Sequence, residues 1–287
     1  MTDLTKPTHN EHYVPKHILK NWESKNNKTN QPIYYLLDTK TLTINHKYSV
    51  KNFGYKYNMY EMLKQNNIID GTENALEKGL GLIETRQGMI IKKIKQGLDL
   101  SNDECTFLIL CTISQMLRVP KVLEVIENAL YKTSKQLNEP VSEDDIKNIA
   151  KLIAVPISRI KVDESITQYY IRLIYDISKK YFYILTIKPI VNLQNYSFVC
   201  GQDIPVVSIT EIFSKNKSNN VLYFPISPRH CLIFSDTYIQ DELYVYININ
   251  KINGINLVLF EKNDLLLGYK ECLENLKENM NNNKIRQ

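Results

Sequence analysis

The twenty residues from Ser101 to Pro120 place the tightest limits on how this chain can fold. Ser101 followed three positions later by Glu104 is a capping-box pattern that predicts a helix start. Val119-Pro120 predicts its end, because a proline biases the preceding residue away from helical geometry. Between them stand Phe107, Leu108, Ile109, Leu110, Cys111, Ile113, Met116 and Leu117, apolar on nearly every side, so the helix is expected to be buried all round. Gln115 and Arg118 nevertheless fall along one side of it with Leu108 and Cys111. A buried guanidinium keeps its proton and must find a carboxylate or several carbonyls. Two readings of Arg118 are open: a structural ion pair at the end of a core helix, or an anion-binding or catalytic arginine.

A source of carboxylates lies just upstream. Residues from Thr72 to about Gln96 carry an apolar stripe of Leu76, Leu80, Ile83, Ile90, Ile91 and Ile94 at helical period. Glu73, Glu77 and Glu84 line the border of that stripe. Gly97 ends the helix, and the short linker predicts an antiparallel helical hairpin with the Ser101 helix. In that arrangement Glu84 or Glu77 is the expected partner of Gln115 or Arg118.

The remaining pattern predicts an α+β fold in a single domain over residues 12–280. Residues 1–11 are polar and expected to be loose, and 281–287 read as a frayed polar tail. Over residues 12–60, His12-Tyr13-Val14-Pro15 precedes a short helical turn with Ile18, Leu19 and Trp22, and Asp38-Thr39-Lys40 joins a β-hairpin of Ile33–Leu37 with Thr41–Asn45. Tyr48–Phe53 is expected to extend that small sheet. The helical half, residues 71–180, adds helices over Lys121–Gln136, from Ser142 to about Ala154, and over Ser165–Ser178. From Tyr181 to 250 the pattern turns to β-runs: Tyr181–Ile187, Tyr196–Cys200, Val206–Ile209, Val221–Phe224, Cys231–Phe234 and Leu243–Ile247. A polar Ser214–Asn220 loop interrupts them, and they predict a mixed or antiparallel sheet. Ile252–Phe260 and Asp264–Met280 read as C-terminal helices.

Bulk properties exclude several classes. The net charge is +5 over 287 residues, which permits a nucleic-acid partner without demanding one. The opening stretch has no apolar core, so no secretory signal is expected, and no run nears 18 apolar residues, so no membrane partner is expected. The five cysteines show no C-x-x-C spacing and read as reduced core residues of a cytoplasmic protein. Phosphate-loop, dinucleotide, zincin and nucleophile-elbow patterns are absent.

Four segments taken together resemble a known bacterial family, domain of unknown function 4238. They are His12-Tyr13-Val14-Pro15, Gln115-Met116-Leu117-Arg118-Val119-Pro120, the strand end Gln202-Asp203-Ile204-Pro205-Val206, and Pro225-Ile226-Ser227-Pro228. The family's pattern at the third segment is S-D-N-P, so Gln202 and Ile204 depart from it while Asp203 and Pro205 keep it. The resemblance runs from His12 to about Phe260. It implies one α+β fold in which the four segments meet, and it implies no activity.

The candidate catalytic residues are His12, Glu84, Gln115, Arg118 and Asp203. His12 is either a general acid/base or a histidine that pins the N-terminal segment. Asp203 is either a site residue at a strand end or a turn aspartate. Ser227 reads as a turn residue, since no base is in view, and His17 as a surface or satisfied histidine. Glu77, Glu84 and Asp203, if they converge, form a hard oxygen set for Mg²⁺ or Mn²⁺, with Arg118 and Gln115 gripping a phosphate beside it. The expected function is a phosphodiester hydrolase, a nuclease-type effector of a defence or toxin system. Its partner would be nucleic acid or a phosphate-bearing small molecule. The alternatives are a sensor that binds an anionic ligand or partner protein without turnover, and an ion-pair network that only fixes the fold.

Overall fold

The structure is a computed structural model that describes residues 10–65, 67–68, 75–137, 141–154, 181–208, 221–236 and 238–285. The stretch expected to be loose is already structured at Asn10–His12 (β1), which pairs antiparallel with Tyr55–Tyr57 (β5). Pro15 then opens Lys16–Leu19 (α1), and a 3-10 turn over Lys20–Trp22 buries the tryptophan. Ser24–Lys25 (β2), Pro32–Asp38 (β3) and Thr43–Lys47 (β4) follow. Asp38 shapes the β3–β4 turn by accepting the Lys40 and Thr41 N–H groups at 3.0 and 2.8 Å. Tyr48–Phe53 does not extend the sheet. Ser49 accepts the Lys51 N–H and diverts the chain into a 3-10 turn at Val50–Asn52. Leu63–Lys64 (β6) and Asn67–Ile68 (β7) make a small ribbon.

The helical half comprises Ala75–Lys95 (α2), Asn102–Leu117 (α3), Pro120–Leu137 (α4) and Glu143–Ala154 (α5). The capping box is formed in both directions, Ser101 Oγ accepting Glu104 N–H and Glu104 accepting Ser101 N–H. Ion pairs Lys93–Glu104 (2.6 Å) and Glu84–Arg118 (3.1 Å) join opposite ends of α3 to α2, so the two helices run antiparallel. Glu73, the helix expected over Ser165–Ser178 and the Ser214–Asn220 loop lie outside the described residues.

Two five-stranded sheets complete the described fold. Tyr181–Ile187 (β8), Cys200–Gly201 (β9), Val207–Ser208 (β10), Val221–Pro225 (β11), His230–Ser235 (β12) and Tyr244–Ile247 (β13) supply most strands. One sheet runs β10-β11-β12-β8-β13, antiparallel except for β13 beside β8. The strand expected over Tyr196–Cys200 shrinks to β9. In the other sheet Leu265–Gly268 (β14) lies between β3 and β9. The sequence reading put these residues at the head of the last helix. They are a strand, because β3 offers them a ladder from more than two hundred positions away. Ile249–Lys262 (α6) precedes β14, and Lys270–Ile285 (α7) follows and takes in most of the expected tail.

The β8–β11–β12 sheet is buried on both faces, which explains its unbroken apolar runs. Ile184, Phe224, Leu232 and Phe234 pack with the helical half and Trp22. Their alternates Tyr183, Leu185, Tyr223, Cys231 and Ile233 pack with Ile252, Ile255, Leu259 and Leu273 of the C-terminal helices. No single described helix is long and apolar enough to cross a membrane, and the α3–α4 pair is bent by 72°.

The junction of the second sheet with α6 is tight. The Asn263 amide accepts Ile204 N–H at 2.7 Å and donates to Leu259 O at 3.0 Å, while its Cγ sits 2.5 Å from where a Cβ on Gly201 would be. Gly201→Ala should therefore cost about 2–4 kcal/mol, since the clash also breaks buried hydrogen bonds. Gly81, exposed on α2 with nothing within 4 Å of its would-be Cβ, is the control. Gly81→Ala should stabilise by about 0.5–1 kcal/mol through helix propensity. Urea unfolding of both variants measures the contrast.

Candidate functional site

The end of α3 builds the site. Pro120 starts α4 at a sharp angle, and Arg118 caps α3 with its N–H on Ser114 O, so its side chain stays inside the bend. Arg118 is 3 % exposed. It donates from Nη1 to Glu84 Oε1 at 3.1 Å, and from Nε and Nη2 to Gln115 Oε1 at 3.1 and 2.8 Å. Gln115 passes the contact on, its Nε2 donating to Tyr13 O at 2.7 Å. Tyr13 and Val14 in turn donate their N–H groups to Gly54 O. Gly54 has φ +62° and a would-be Cβ 2.8 Å from Val14, so only glycine fits that approach.

Carboxyls crowd around this anchor. Glu11, fully buried on β1, accepts the Tyr60 N–H at 2.6 Å through Oε2. Its Oε1 and the buried Tyr60 hydroxyl have no hydrogen-bond partner among the described residues. Burial pushes the Glu11 carboxyl up to about 8, with Glu77 and Glu61 adding to the rise and the Tyr60 N–H and Lys151 opposing it. Burial also lifts the half-buried Glu77 to about 7; neighbouring Glu84 adds to it, while Arg118 and Lys16 pull it back. The Tyr60 phenol is pushed well up, mainly by burial, and lies in the field of Arg118, Glu77, Glu84 and Glu11. Burial works against the charge of Arg118, but Tyr60, Glu84 and Glu77 outweigh it and hold the guanidinium above its ordinary value.

Flanking groups complete the cluster. His17 packs on Gly88 of α2 and is pushed down to about 4, first by burial and then by Arg118. Lys151 donates to Glu61 O at 2.5 Å, and burial lowers its ammonium despite Glu11 nearby.

Of the expected site residues, Glu84, Gln115 and Arg118 are brought together, with Glu77 next to them. His12 follows Glu11 on β1, so strand alternation turns it to the other face, where its ring lies 6.0 Å from that of Tyr55. Asp203 is elsewhere. Its Oδ2 accepts the Asp264 N–H at 2.7 Å and organises the β9–β14 junction. The expected oxygen set of Glu77, Glu84 and Asp203 thus does not converge, and no three His, Cys, Asp or Glu side chains among the described residues form a group able to hold a metal ion. The expected phosphate grip of Arg118 with Gln115 has competition inside the protein, since three of the five guanidinium N–H groups go to Glu84 and Gln115 and the Gln115 amide donates to Tyr13 O.

Residues 13–22 tie the first, second and fourth of the segments that carried the resemblance together and reach the chain just ahead of the third. Tyr13 O holds Gln115, Trp22 Nε1 donates to Phe198 O at 2.7 Å, and Asn21 Nδ2 donates to Ile226 O at 2.8 Å. The family model described as Protein of unknown function (DUF4238) matches residues 10–262. The chain belongs to this family. No curated protein and no solved structure matches the chain. In this DUF4238 chain, then, Gln115, Arg118 and Asp203 are engaged with partners inside the protein, and Glu77 and Glu11 are the carboxyls that burial lifts toward neutral pH. Sequence reasoning missed Glu11 and Tyr60. The signal for Glu11 was its place two before Tyr13, which puts both on one face if β1 is a strand.

Glu11 makes stability depend on pH with a definite sign. Its folded pKa, about 8, lies above its unfolded value of about 4.3, so between these the unfolding chain releases a proton and stability falls as pH rises. Glu11→Gln keeps an acceptor for the Tyr60 N–H and removes the titration. Relative to wild type, the variant should gain about 2–4 kcal/mol on going from pH 5 to pH 8. Denaturant unfolding at both values tests this, and a constant difference would show that Glu11 is ionised in the folded state.

Proposed function

We propose that the protein is a hydrolase working by acid–base catalysis at Glu77 and Glu84. The observation behind this reading is the pairing of two neighbouring carboxyls in unlike settings. Glu84 is ion-paired to a buried arginine at 3.1 Å, while Glu77 is lifted to about 7. A carboxyl lifted toward neutral pH suits a general acid, and a neighbouring carboxylate fixed by an arginine is positioned to take a proton. Glu77 is then the general acid that protonates the leaving oxygen, and Glu84 takes the proton of the attacking water. The Glu11 Oε1 and Tyr60 hydroxyl, without a partner among the described residues, are buried polar groups that a bound substrate would satisfy.

The bond class proposed is the phosphodiester, in keeping with the basic net charge of +5. The carboxyl surplus around Arg118 sets a condition on it. An anionic substrate is admitted only while Glu77 and Glu11 carry their protons, so turnover falls as pH rises through about 7. The nuclease form of this reading, an effector of a defence or toxin system, predicts growth arrest with nucleic-acid damage on expression in bacteria. A sensor that binds without turnover would use the same groups and show saturable binding without product.

Purified protein is assayed with RNA and DNA oligonucleotides and bis-(p-nitrophenyl) phosphate. Glu77→Gln should lower kcat about 100-fold or more, the scale of a lost general acid, with circular dichroism unchanged and the fall above pH 7 abolished. Glu77 makes no ion pair among the described residues, so this variant spares the Arg118 anchor. Folded wild-type protein that cleaves none of these substrates, or full activity in Glu77→Gln, would sink the reading.

A further inference from the structure

The other end of α2 carries a constellation of opposite charge. A cavity of about 200 Å³ opens beside Lys95, and its polar lining is Asn21, Lys95, Ser227, Arg229, His230 and Tyr269. No carboxylate lines it, and neither Lys95 nor Arg229 has an ion-pair partner among the described residues. Eighteen residues of helix separate Lys95 from Glu77, about 27 Å along the axis, so this is not the carboxyl site.

The groups are held in place by neutral partners. Asn21 donates to Ile226 O at 2.8 Å, which turns its Oδ1 toward Lys95 Nζ at 2.7 Å. Arg229 spends one donor on Ile187 O at 2.7 Å, and among the described residues its other N–H groups have no protein acceptor. Ser227 Oγ accepts the His230 N–H at 3.0 Å and lies 3.1 Å from His230 Nδ1. The hydroxyl has a lone pair left for a second donor, so either ring tautomer fits this contact, and an anion in the cavity would favour the one with the proton on Nε2. His230 is 6 % exposed, and burial, then Arg229 and Lys95, push it down to about 4. Near neutral pH it is therefore an uncharged ring close to two cations.

We propose that this cavity is a binding site for the phosphate group of a small molecule, gripped by Lys95, Arg229 and His230. Two cations match the dianionic charge of a phosphate monoester near neutral pH. The guanidinium fork supplies directed donors to separate oxygens, and the Nε2–H tautomer of His230 would add another. Tyr269 lines the same wall. The Pro225-Ile226-Ser227-Pro228 segment acquires a role by this assignment, since it sets both the Ile226 carbonyl that orients Asn21 and the Ser227 hydroxyl that orients His230.

The test is calorimetric titration of the full chain with inorganic phosphate at low ionic strength. One saturable site is expected, with sulfate competing. Lys95→Gln should weaken binding about tenfold or more, and Arg229→Gln at least as much, the scale of a lost charge-assisted hydrogen bond. Glu77→Gln should leave it unchanged, which separates this site from the carboxyl site. Lys95 is exposed, so its variant keeps the fold and decides the matter even if Arg229→Gln does not fold. Absence of saturable binding in folded wild-type protein, or equal binding by Lys95→Gln, overturns the proposal.

Discussion

A guanidinium that cannot give up its proton is buried at the end of an apolar helix, and much of the structure is arranged to make that tolerable. Taking such a charge out of water costs several kcal/mol, and removing one partner costs more than the pair is worth, because the other charge is then stranded. Arg118 meets the cost with one carboxylate and one amide. Glu84 comes from α2 and Gln115 from the preceding turn of α3. The amide cannot turn away, since its NH₂ end is held by Tyr13 O. One charge thereby fixes the α2–α3 pairing and the path of the N-terminal segment, and through Asn21 and Trp22 that segment reaches both sheets.

The same charge shapes the chemistry nearby. Arg118 engages Glu84 directly but reaches Glu77 only through space, so Glu77 is left with burial and a like-charged neighbour as its main influences. Two glutamates seven residues apart on one helix face thus acquire different characters from a single arginine. A buried lysine could not keep the pair with Glu84 so durably, because burial would take its proton, as burial already lowers Lys151.

What could be read from the sequence follows from how local its cause was. The start of α3 was legible because Ser101 and Glu104 satisfy each other within one turn. The Glu84–Arg118 pair was legible because helical period and a short linker leave an antiparallel hairpin few registers. The strands β8 and β12 were legible from unbroken apolar runs. Glu11 was hidden because its burial depends on pairing with a strand more than forty positions away. Leu265–Gly268 was hidden because its leucines suit a helix equally well, and only β3 makes them a strand. Asp203 looked like a site residue for the reason that strand-end aspartates often are. Its actual work is to accept Asp264 N–H where β14 begins.

The polarity of α2 offers a check on which effect governs Glu77. A helix N-terminus favours a carboxylate by about 0.3–1 kcal/mol, and the effect fades within the first turn. Glu77 stands in that first turn, so the dipole alone would lower its pKa, yet it is raised. Burial and the repulsion of Glu84 therefore outweigh both the dipole and the attraction of Arg118 and Lys16. At the C-terminal end the dipole and the local charges agree: Lys92, Lys93 and Lys95 meet the negative pole, and one of them, Lys95, faces a cavity without carboxylates. Both ends of the helix thus carry the kind of residue its dipole favours, but at the N-terminal end burial prevails over that preference.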